Sequence, residues 1–515
     1  MNHLMTQAAK SRLTRAVTLS AVSVLTVLAS AAAQAASVRG FEGTSQLDNC
    51  LLGQCFRPPD TMGAVGTTQF LETTNGSITV YDKSNGAVQS RLNMVNFWAN
   101  AGLPGGAFGD QRVLFDHYTN RWIMSGFGAD TKDINIAISD TANALGPWKS
   151  VQFQGVAPGG TADYPTLAMD DKGVYIGTNN FTPRFTGTSL FVIPKASLFG
   201  GAPSTAGMTT FNTPLSGPDN GFAIQAAVNW GGNATNTASV MADSRDANAQ
   251  VFYKVNNVTG PATQTAAAII AGSGYNVAGA GRQPDGSRVV DTLSPRISAN
   301  VVQANGRLFS VATVRADIGD FAAVRWSVND ANTGALISTG KISGGNYDYY
   351  EGSIAVNEFG DVVIGYNRSG SQTADANNDG KADGNISFLA SVYDVNGAGA
   401  LVQDGGELLL RVSEVSDYHC GARVNPAACR ERWGDYSAVT IDPTDHRKFW
   451  AIGEYAADWA FLPPPNQALN RAIWHTYISE IDVTAPIPEP ETYALMLAGL
   501  TAVGWITRRR ARAAA

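Results

Sequence analysis

The sequence predicts an all-β protein folded as a β-propeller, with seven four-stranded blades favoured and six or eight as alternatives. Three observations support this fold class. Charged residues make up only 15% of the 515 residues, against roughly a quarter in ordinary soluble domains, and glycine is abundant at 54 residues, as in turn-rich proteins. A unit of two strand hairpins recurs between residues 57 and 483. No long helical period interrupts that stretch of sequence, which favours strands throughout.

The first 35 residues have the composition of a secretory signal peptide. Three basic residues, Lys10, Arg12 and Arg15, precede an apolar run over residues 16–33, and a small-residue pattern ends at Ala35. This order of charge, apolar run and small residues is typical of a cleaved export signal. The segment therefore predicts a signal helix that is removed after Ala35. A membrane anchor is the weaker alternative because the apolar run is short and rich in alanine.

Residues 36–56 form a predicted lead-in that contains the first of two cysteine pairs. Cys50 and Cys55 are close in the chain, and so are Cys420 and Cys429, both in loop-like sequence. Export places these cysteines in an oxidising compartment, where disulfides persist. Four cysteines allow three pairings, and we favour two local disulfides because each would close a single loop. A zinc site is disfavoured because neither pair has C-x-x-C spacing.

The repeated unit predicts the blades along residues 57–483. Its first hairpin recurs with starts near residues 60, 110, 163, 225, 294, 351 and 435, and a second hairpin follows most copies. Asn-Gly dipeptides at 85–86 and 396–397 favour short turns in two of these second hairpins. Two hairpins supply the four antiparallel strands of one blade, and a closed ring of blades leaves few exposed sheet edges. An array of β-sandwiches is the disfavoured alternative, because no proline-rich linkers separate the copies.

Charged and aromatic residues recur where the first strand of each copy begins. In a propeller, the innermost strands deliver such residues to the mouth of the central channel. The candidate catalytic residues are Asp60, Asp163, Glu351 and Asp435. The candidate binding residues are Asp110, Arg112, Tyr164, Arg296, Tyr350, Arg432 and Tyr436.

Three chemical roles are open for this set of residues. Converging carboxylates can act as acid and base in glycoside cleavage. The arginines can instead clamp a substrate carboxylate through paired hydrogen bonds, as in sialidase-like sites. Alternatively, the acids and arginines tie neighbouring blades together through hydrogen bonds. We favour this structural role because an acid recurs at equivalent places in several copies.

Residues 375–383, DANNDGKAD, have the spacing of a calcium-binding loop. Asp375, Asn377 and Asp379 occupy positions 1, 3 and 5, a glycine at position 6 permits a sharp turn, and Asp383 follows at position 9. The loop has neither the final glutamate nor the flanking helices of an EF-hand, and it resembles shorter loops of extracellular bacterial proteins. We expect it to bind Ca²⁺. The alternative is a polar hairpin tip without metal, and no organic cofactor is expected.

The C-terminal residues 484–515 combine three features in a fixed order. A Pro-Glu-Pro triplet, Pro488, Glu489 and Pro490, precedes an apolar run over residues 493–506, and four arginines follow that run. The run is shorter than the roughly 20 residues of a typical membrane-spanning helix, and the arginines would stay on the cytoplasmic side. The tail resembles the PEP-CTERM sorting signal of Gram-negative bacteria. An ordinary C-terminal anchor is the alternative.

The resemblance to PEP-CTERM proteins implies a route and a setting. It implies export across the inner membrane, transient anchoring by a short hydrophobic helix, and processing by an exosortase before the protein reaches the cell surface or the extracellular space. Family members are typically linked to exopolysaccharide or biofilm matrix. The expected function is therefore binding of an extracellular polysaccharide or matrix polymer. The alternatives are a polysaccharide-cleaving hydrolase or lyase that uses the channel carboxylates, and a non-catalytic structural surface protein.

Charge excludes one class of partner. The whole chain has 36 basic and 43 acidic residues and a net charge of −7. The signal peptide contains three basic residues, and residues 491–515 contain four basic residues and one acidic residue, so removing both leaves a net charge of −13. Such an acidic domain disfavours nucleic acid and favours divalent cations.

Overall fold

The computed structural model describes residues 36–105, 109–212, 221–244, 247–417, 431–460 and 471–483. The predicted signal helix, the sorting segment at 484–515, and the cysteines Cys420 and Cys429 lie outside the described residues. Within the described ranges, no helix is long and apolar enough to cross a membrane. The helices are α1 (Gln46–Leu51), α2 (Met94–Asn100) and α3 (Lys195–Leu198).

Strands make up most of the regular structure, and they follow the predicted repeat in successive units. The first strand is β1 (Ser37–Ser45). Unit 1 contains β2 (Met62–Val65), β3 (Gln69–Thr74), β4 (Ser77–Asp82) and β5 (Val88–Asn93). Unit 2 contains β6 (Gly109–Asp116), β7 (Arg121–Phe127), β8 (Asp133–Ser139) and β9 (Trp148–Gln154). Unit 3 contains β10 (Thr161–Asp163), β11 (Ala168–Met169), β12 (Gly173–Phe181), β13 (Phe185–Pro194) and β14 (Thr209–Asn212).

The later units repeat this arrangement with additions between units 4 and 5. Unit 4 contains β15 (Phe222–Asn229), β16 (Thr237–Ser244), β17 (Ala249–Asn256), β18 (Thr263–Gln264) and β19 (Ala268–Ile269). A separate hairpin contains β20 (Gly281–Arg282) and β21 (Arg288–Val290). Unit 5 contains β22 (Val301–Ala304), β23 (Arg307–Arg315), β24 (Ala322–Asp330) and β25 (Leu336–Ile342). Unit 6 contains β26 (Tyr347–Val356), β27 (Asp361–Gly370), β28 (Ser387–Val395) and β29 (Leu401–Val412). Unit 7 begins with β30 (Ala438–Ile441), β31 (Lys448–Ala460) and β32 (Arg471–Asp482).

Strand pairing has the pattern of propeller blades. Units 1, 2, 5 and 6 are antiparallel meanders in which neighbours along the chain are neighbours in the sheet. In units 3 and 4, two short strands pair with one longer strand: β10 and β11 pair with β12, and β18 and β19 pair with β17. Units 4 and 5 share one sheet because their first strands, β15 and β22, pair in parallel. The prediction of an all-β propeller is confirmed by this topology. The number of separate blades stays a prediction, since these two units form a single sheet.

The N-terminal strand completes the last unit. β1 pairs antiparallel with β32, with Ser37 opposite Asp482, so the sheet runs β30, β31, β32, β1. The predicted lead-in at 36–56 therefore belongs to the propeller rather than preceding it. Ser45 ends β1 and caps α1 by accepting a hydrogen bond from Asp48 N. The predicted disulfide between Cys50 and Cys55 is confirmed.

The core lies between neighbouring units, which explains why the inner strands are buried on both faces. All eight residues of β6 are buried, whereas in the outer strand β9 only Trp148 is buried. One apolar cluster joins Leu114 of unit 2 to Ile176 of unit 3 and Val240 of unit 4. Burial of such a side chain contributes about 1.5–3 kcal/mol. The inner strands are thus held in place by the units on either side.

A left-handed residue recurs where the inner strands begin. Asp60, Asp110, Tyr164, Ala223 and Glu351 all have φ between 48° and 56°. In β6, β15 and β26 the pairing register shifts by one residue at this point, which is a β-bulge. Bulges kink a strand and redirect its side chains. The bulges therefore explain how side chains from separate units are brought together at one end of the channel.

Candidate functional site

The predicted site residues gather at the end of the channel where the inner strands begin. We call this end the acidic mouth. Its members are Asp60, Asp110, Asp163, Glu351 and Asp435 together with Arg112, Arg296, Arg432, Tyr164 and Tyr436. Tyr350 is the exception among the predicted residues, since its buried ring packs beside Trp433 and Ile386 in a separate cluster.

Asp60 links units 1 and 7 through its carboxylate. It accepts hydrogen bonds from Asn75 Nδ2 at 2.6 Å and from the backbone N–H of Asp435 at 2.8 Å. Asn75 Oδ1 in turn accepts from Asp110 N at 3.0 Å, and the Tyr436 hydroxyl donates to Asp110 Oδ2 at 2.6 Å. Units 1, 2 and 7 are therefore joined by carboxylates. These contacts support the interpretation of the recurring acids as ties between units.

Arg112 is part of the buried framework of the acidic mouth. It is 1% exposed, and its guanidinium carbon lies 3.6 Å from the centre of the Tyr436 ring and 5.4 Å from that of Tyr164. Its Nη1 donates to the carbonyl of Ser298 at 3.2 Å. Stacking of a desolvated guanidinium on aromatic rings is worth about 2 kcal/mol. Arg112 therefore stabilises the mouth from within, and its role in binding stays a prediction.

The other two arginines form the part of the acidic mouth that solvent reaches. Arg432 Nη2 lies 2.7 Å from Asp435 Oδ1, and the Arg432 side chain is 45% exposed. Arg296 Nη1 lies 3.8 Å from the second oxygen of Asp435, and its guanidinium packs over the rings of Tyr164 and Phe222. One carboxylate is thus flanked by two guanidiniums beside aromatic rings.

Burial and mutual repulsion raise the pKa values of the acids at this mouth. Desolvation and the neighbouring carboxylate of Asp435 raise the pKa of Asp60 from 3.8 to about 7. Desolvation, followed by repulsion from Asp60 and Asp163, raises the pKa of Asp110 well above its usual value. Desolvation and then Asp435 raise the pKa of Asp163. Desolvation and then Glu454 raise the pKa of Glu351. These acids therefore hold their protons to a higher pH than free carboxyl groups do.

Glu454 belongs to this group and was not predicted from the sequence. It lies in β31, is 2% exposed, and burial followed by repulsion from Asp60 raises its pKa well above the usual value. A side chain at Gly434 would clash with it, because a Cβ there would lie 2.5 Å from Glu454 Oε1. The available signal was an acid inside the apolar run FWAIGEYAA.

In the structure, carboxylates of the predicted calcium loop accept hydrogen bonds from the backbone N–H groups of the same loop. Asp375 accepts from the N–H groups of Asp379 and Gly380, both at 2.9 Å, and Asp379 Oδ1 accepts from Lys381 N at 2.9 Å. Among the described residues, no three His, Cys, Asp or Glu side chains converge as a metal site. The oxygen donors still match what Ca²⁺ prefers. Binding would require these carboxylates to turn from the backbone toward the ion.

A cavity of about 290 Å³ opens at the opposite end of the channel, where the inner strands end. We call this end the histidine mouth, defined by His117, Trp230, Glu358 and His446. Between the two mouths, the channel narrows to a void of about 10 Å³ beside Met62, Ile354 and Val439. The two ends are therefore separate chemical environments.

Comparison with known proteins supplies the identity of the tail. The model of the PEP-CTERM protein-sorting motif matches residues 486–510. The chain therefore carries a PEP-CTERM sorting motif after its propeller core. This sorting motif implies that the protein is exported. No curated protein shows significant sequence similarity to it.

Some solved structures are similar to this chain at low sequence identity. The Dos1 propeller is 10% identical with a TM-score of 0.37, over 88% of this chain and 95% of that chain. Hsv2 of Kluyveromyces lactis is 11% identical with a TM-score of 0.30, over 67% of this chain and 96% of that chain. The fold assignment rests on the strand pairing described above.

Proposed function

We propose that this exported propeller binds an extracellular polysaccharide or a similar matrix polymer at its acidic mouth. The observation that carries the proposal is the arrangement of Arg296 and Arg432 around Asp435. It offers charged donors and a charged acceptor, partly exposed and held in place beside aromatic rings. Hydrogen bonds of this kind to sugar hydroxyls are stronger than neutral ones, and the buried rings of Tyr164 and Phe222 hold the Arg296 guanidinium in place. The acidic net charge favours a polymer that is not polyanionic.

The route to that polymer is also part of the proposal. The sorting tail supports processing by an exosortase-type enzyme in the inner membrane of a Gram-negative bacterium. Its apolar run and arginine cluster support transient anchoring before release to the cell surface or the matrix. Cell fractionation of wild type and of a variant with Glu489→Ala tests this route. We expect the variant to accumulate in the membrane fraction, and an unchanged distribution would contradict the proposal.

A glycan array tests polymer binding, with a matched pair of variants. Arg432→Gln removes a guanidinium from the acidic mouth, and Arg39→Gln removes one elsewhere with the same side-chain exposure of 45% and an acidic partner, Glu480. We expect Arg432→Gln to weaken binding about tenfold, since a charged hydrogen bond contributes about 1.5–3 kcal/mol. Arg39→Gln should leave binding within about twofold. Equal polymer binding by the two variants would show that the acidic mouth is not the binding site.

A second function, cleavage of the bound polymer, is favoured by one observation. Asp60, with a pKa raised to about 7, has the protonation expected of a general acid near neutral pH, and Glu351 is raised in the same direction. Product analysis after incubation with each bound glycan tests this function. Release of reducing ends that is abolished by Glu351→Gln would support cleavage. Binding without product would support the binding function, and neither binding nor product would leave a structural surface protein.

We also propose that Ca²⁺ binds the loop formed by Asp375, Asn377, Asp379 and Asp383. The donor set supports this, and the ion would stiffen an exposed insertion without a part in chemistry. Isothermal titration with CaCl₂ should show one site in wild type and in Asp317→Ala, which removes an exposed carboxylate elsewhere. Asp379→Ala should lose the site. Identical titrations of all three proteins would exclude the proposal.

A further inference from the structure

The histidine mouth takes no part in the proposed polymer binding, yet it has the features of a small-molecule pocket. Such pockets are mostly apolar and contain a few fixed polar groups. Its floor is formed by the apolar residues Val65, Leu114, Val356 and Ile441. These side chains come from different units, and the cavity exists only because the inner strands end around a common axis.

One wall of the cavity is aromatic and held in position. The His117 ring lies 4.7 Å from the Trp230 ring and 3.9 Å from the Tyr118 ring, measured between centroids. The Tyr118 hydroxyl donates to the Trp230 carbonyl at 2.8 Å, which fixes the turn that presents Trp230. Burial lowers the pKa of His117, so its imidazole is neutral at pH 7. This wall therefore presents flat uncharged rings.

The facing wall is anionic. Glu358 lies at the edge of the cavity, with its side chain 52% exposed and its Oε1 2.7 Å from His446 Nδ1. Asn305 Nδ2 donates to the Glu358 carbonyl at 3.0 Å, which positions the residue. Desolvation acts to raise the pKa of Glu358, but the hydrogen bonds to its carboxylate from His446 and from its own backbone, together with attraction from His446 and Arg447, outweigh it and hold the pKa below the usual value. Glu358 is therefore ionised at neutral pH.

The charged groups around the cavity determine whether it favours a cationic or an anionic ligand. Among the described residues that line it, none is a lysine or an arginine. Lys195, which packs over the Tyr118 ring, has its ammonium 2.7 Å from Asp116 Oδ1 and is neutralised by it. An anionic ligand would be repelled by Glu358, whose partner His446 is charged only when protonated, while the nearby Arg447 is already paired with Asp361 at 3.0 Å. A cationic group would meet Glu358 and the faces of aromatic rings, both of which attract it.

We propose that the histidine mouth is a binding site for a small organic cation with a flat apolar body, of the arylalkylamine class. The aromatic body would stack against Trp230 and His117 above the apolar floor. The ammonium group would lie at the rim and donate to Glu358. The volume of the cavity suits a single ring with a short side chain, at the lower limit of small-molecule pockets.

Isothermal titration of the full chain with three probes of one shape tests this inference. The probes are phenethylamine, phenylethanol and phenylpropionate, which carry a cation, a neutral hydroxyl and an anion on the same ring. We expect the amine to bind about tenfold more tightly than the alcohol, and the acid to bind most weakly. Equal affinity for the three probes, preference for the acid, or no binding of any probe would overturn the proposal.

Variants locate the binding within the molecule. Glu358→Gln should weaken amine binding about tenfold and leave the alcohol within about twofold, because only the charge interaction is lost. Trp230→Leu should weaken both probes, whereas Trp326→Leu, a partly buried tryptophan of unit 5, should weaken neither. Asp317→Asn controls for the loss of an exposed carboxylate away from the cavity. Amine binding that survives Glu358→Gln and Trp230→Leu unchanged would place the site elsewhere and overturn the proposal.

Discussion

The two ends of the channel use left-handed backbone in different ways. At the histidine mouth, the turns place positive φ on residues that tolerate it, namely Asn120, Asn305 and Gly360. At the acidic mouth, the same conformation falls on Tyr164 and Glu351, among others, for which it costs about 1–2 kcal/mol each. Such strain persists only where the surrounding structure imposes it. The acidic mouth is therefore the end at which conformational energy is stored.

Charged groups are also arranged differently at the two ends. At the histidine mouth, charges are neutralised in local pairs, such as Lys195 with Asp116 and Arg447 with Asp361 at 3.0 Å. At the acidic mouth, carboxylates from several units crowd together, and burial with mutual repulsion raises their pKa values. The first arrangement stabilises the fold over a wide pH range. The second arrangement makes the free energy of unfolding depend on pH.

The largest effect is expected from the buried pair at the histidine end. Lys195 and Asp116 side chains are 5% and 0% exposed, so Lys195→Met leaves an uncompensated buried carboxylate. We expect a loss of about 3–5 kcal/mol in the free energy of unfolding, measured by urea denaturation. The control is Lys149→Met, which breaks an exposed pair with Asp140 and should cost less than about 1 kcal/mol. Similar losses in both variants would contradict local neutralisation at this end.

The next effect tests the proton dependence of the acidic mouth. The folded-state pKa of Asp60, about 7, lies above its value of 3.8 in the unfolded chain. The stability that this residue contributes is complete below pH 3.8 and falls as the pH rises toward 7. At about 1.4 kcal/mol per pH unit, the loss across that window is on the order of 4 kcal/mol.

Asp60→Asn should remove this pH dependence, because asparagine has the same shape, does not ionise, and tolerates positive φ. Urea unfolding at a series of pH values from 4 to 8 is the measurement. The variant should gain stability relative to wild type as the pH rises. Asp317→Asn, at a side chain that is 80% exposed, should follow the wild-type profile. Parallel profiles for Asp60→Asn and wild type would show that Asp60 is ionised in the folded protein.

Much of the acidic mouth could be predicted because it is built from a repeat. Equivalent positions in repeated units occupy equivalent places, so an acid at the start of one inner strand predicts acids that meet at the same end. The sorting motif, the all-β propeller and the Cys50–Cys55 disulfide are confirmed. The catalytic and binding roles and the calcium site stay predictions. Prediction from the repeat fails at Tyr350, because this residue precedes a β-bulge and its side chain points away from the acidic mouth.

Other features depend on closure of the ring of units, and ring closure leaves no local pattern in the sequence. Glu454 comes from a second strand, and it meets Asp60 only because unit 7 lies beside unit 1. Trp230 and Glu358 are far apart in the chain and line one cavity from different units. β1 has little alternation in the sequence SVRGFEGTS, and its place is set by backbone pairing with β32. Such contacts follow from the whole fold rather than from any segment.

The smallest effect tests whether strain is stored at the acidic mouth. Ala223 and Ala226 lie in the same strand and are 1% and 2% exposed, but only Ala223 has positive φ, at 52°. Glycine adopts that conformation freely, so Ala223→Gly relieves about 1–2 kcal/mol of strain, which offsets the roughly 1.5 kcal/mol lost through methyl burial and added entropy of the unfolded chain. Ala226→Gly loses the methyl group and gains backbone entropy in the unfolded chain, at a total cost of about 1.5 kcal/mol.

We therefore expect Ala223→Gly to leave stability unchanged or slightly raised, and Ala226→Gly to lower it. Thermal and urea unfolding of the two variants beside wild type measure the difference. Because both substitutions delete the same buried methyl group from one strand, the difference isolates the backbone contribution at the bulge. Equal destabilisation by the two glycines would mean that the bulge is unstrained, and that the two mouths differ in charge alone.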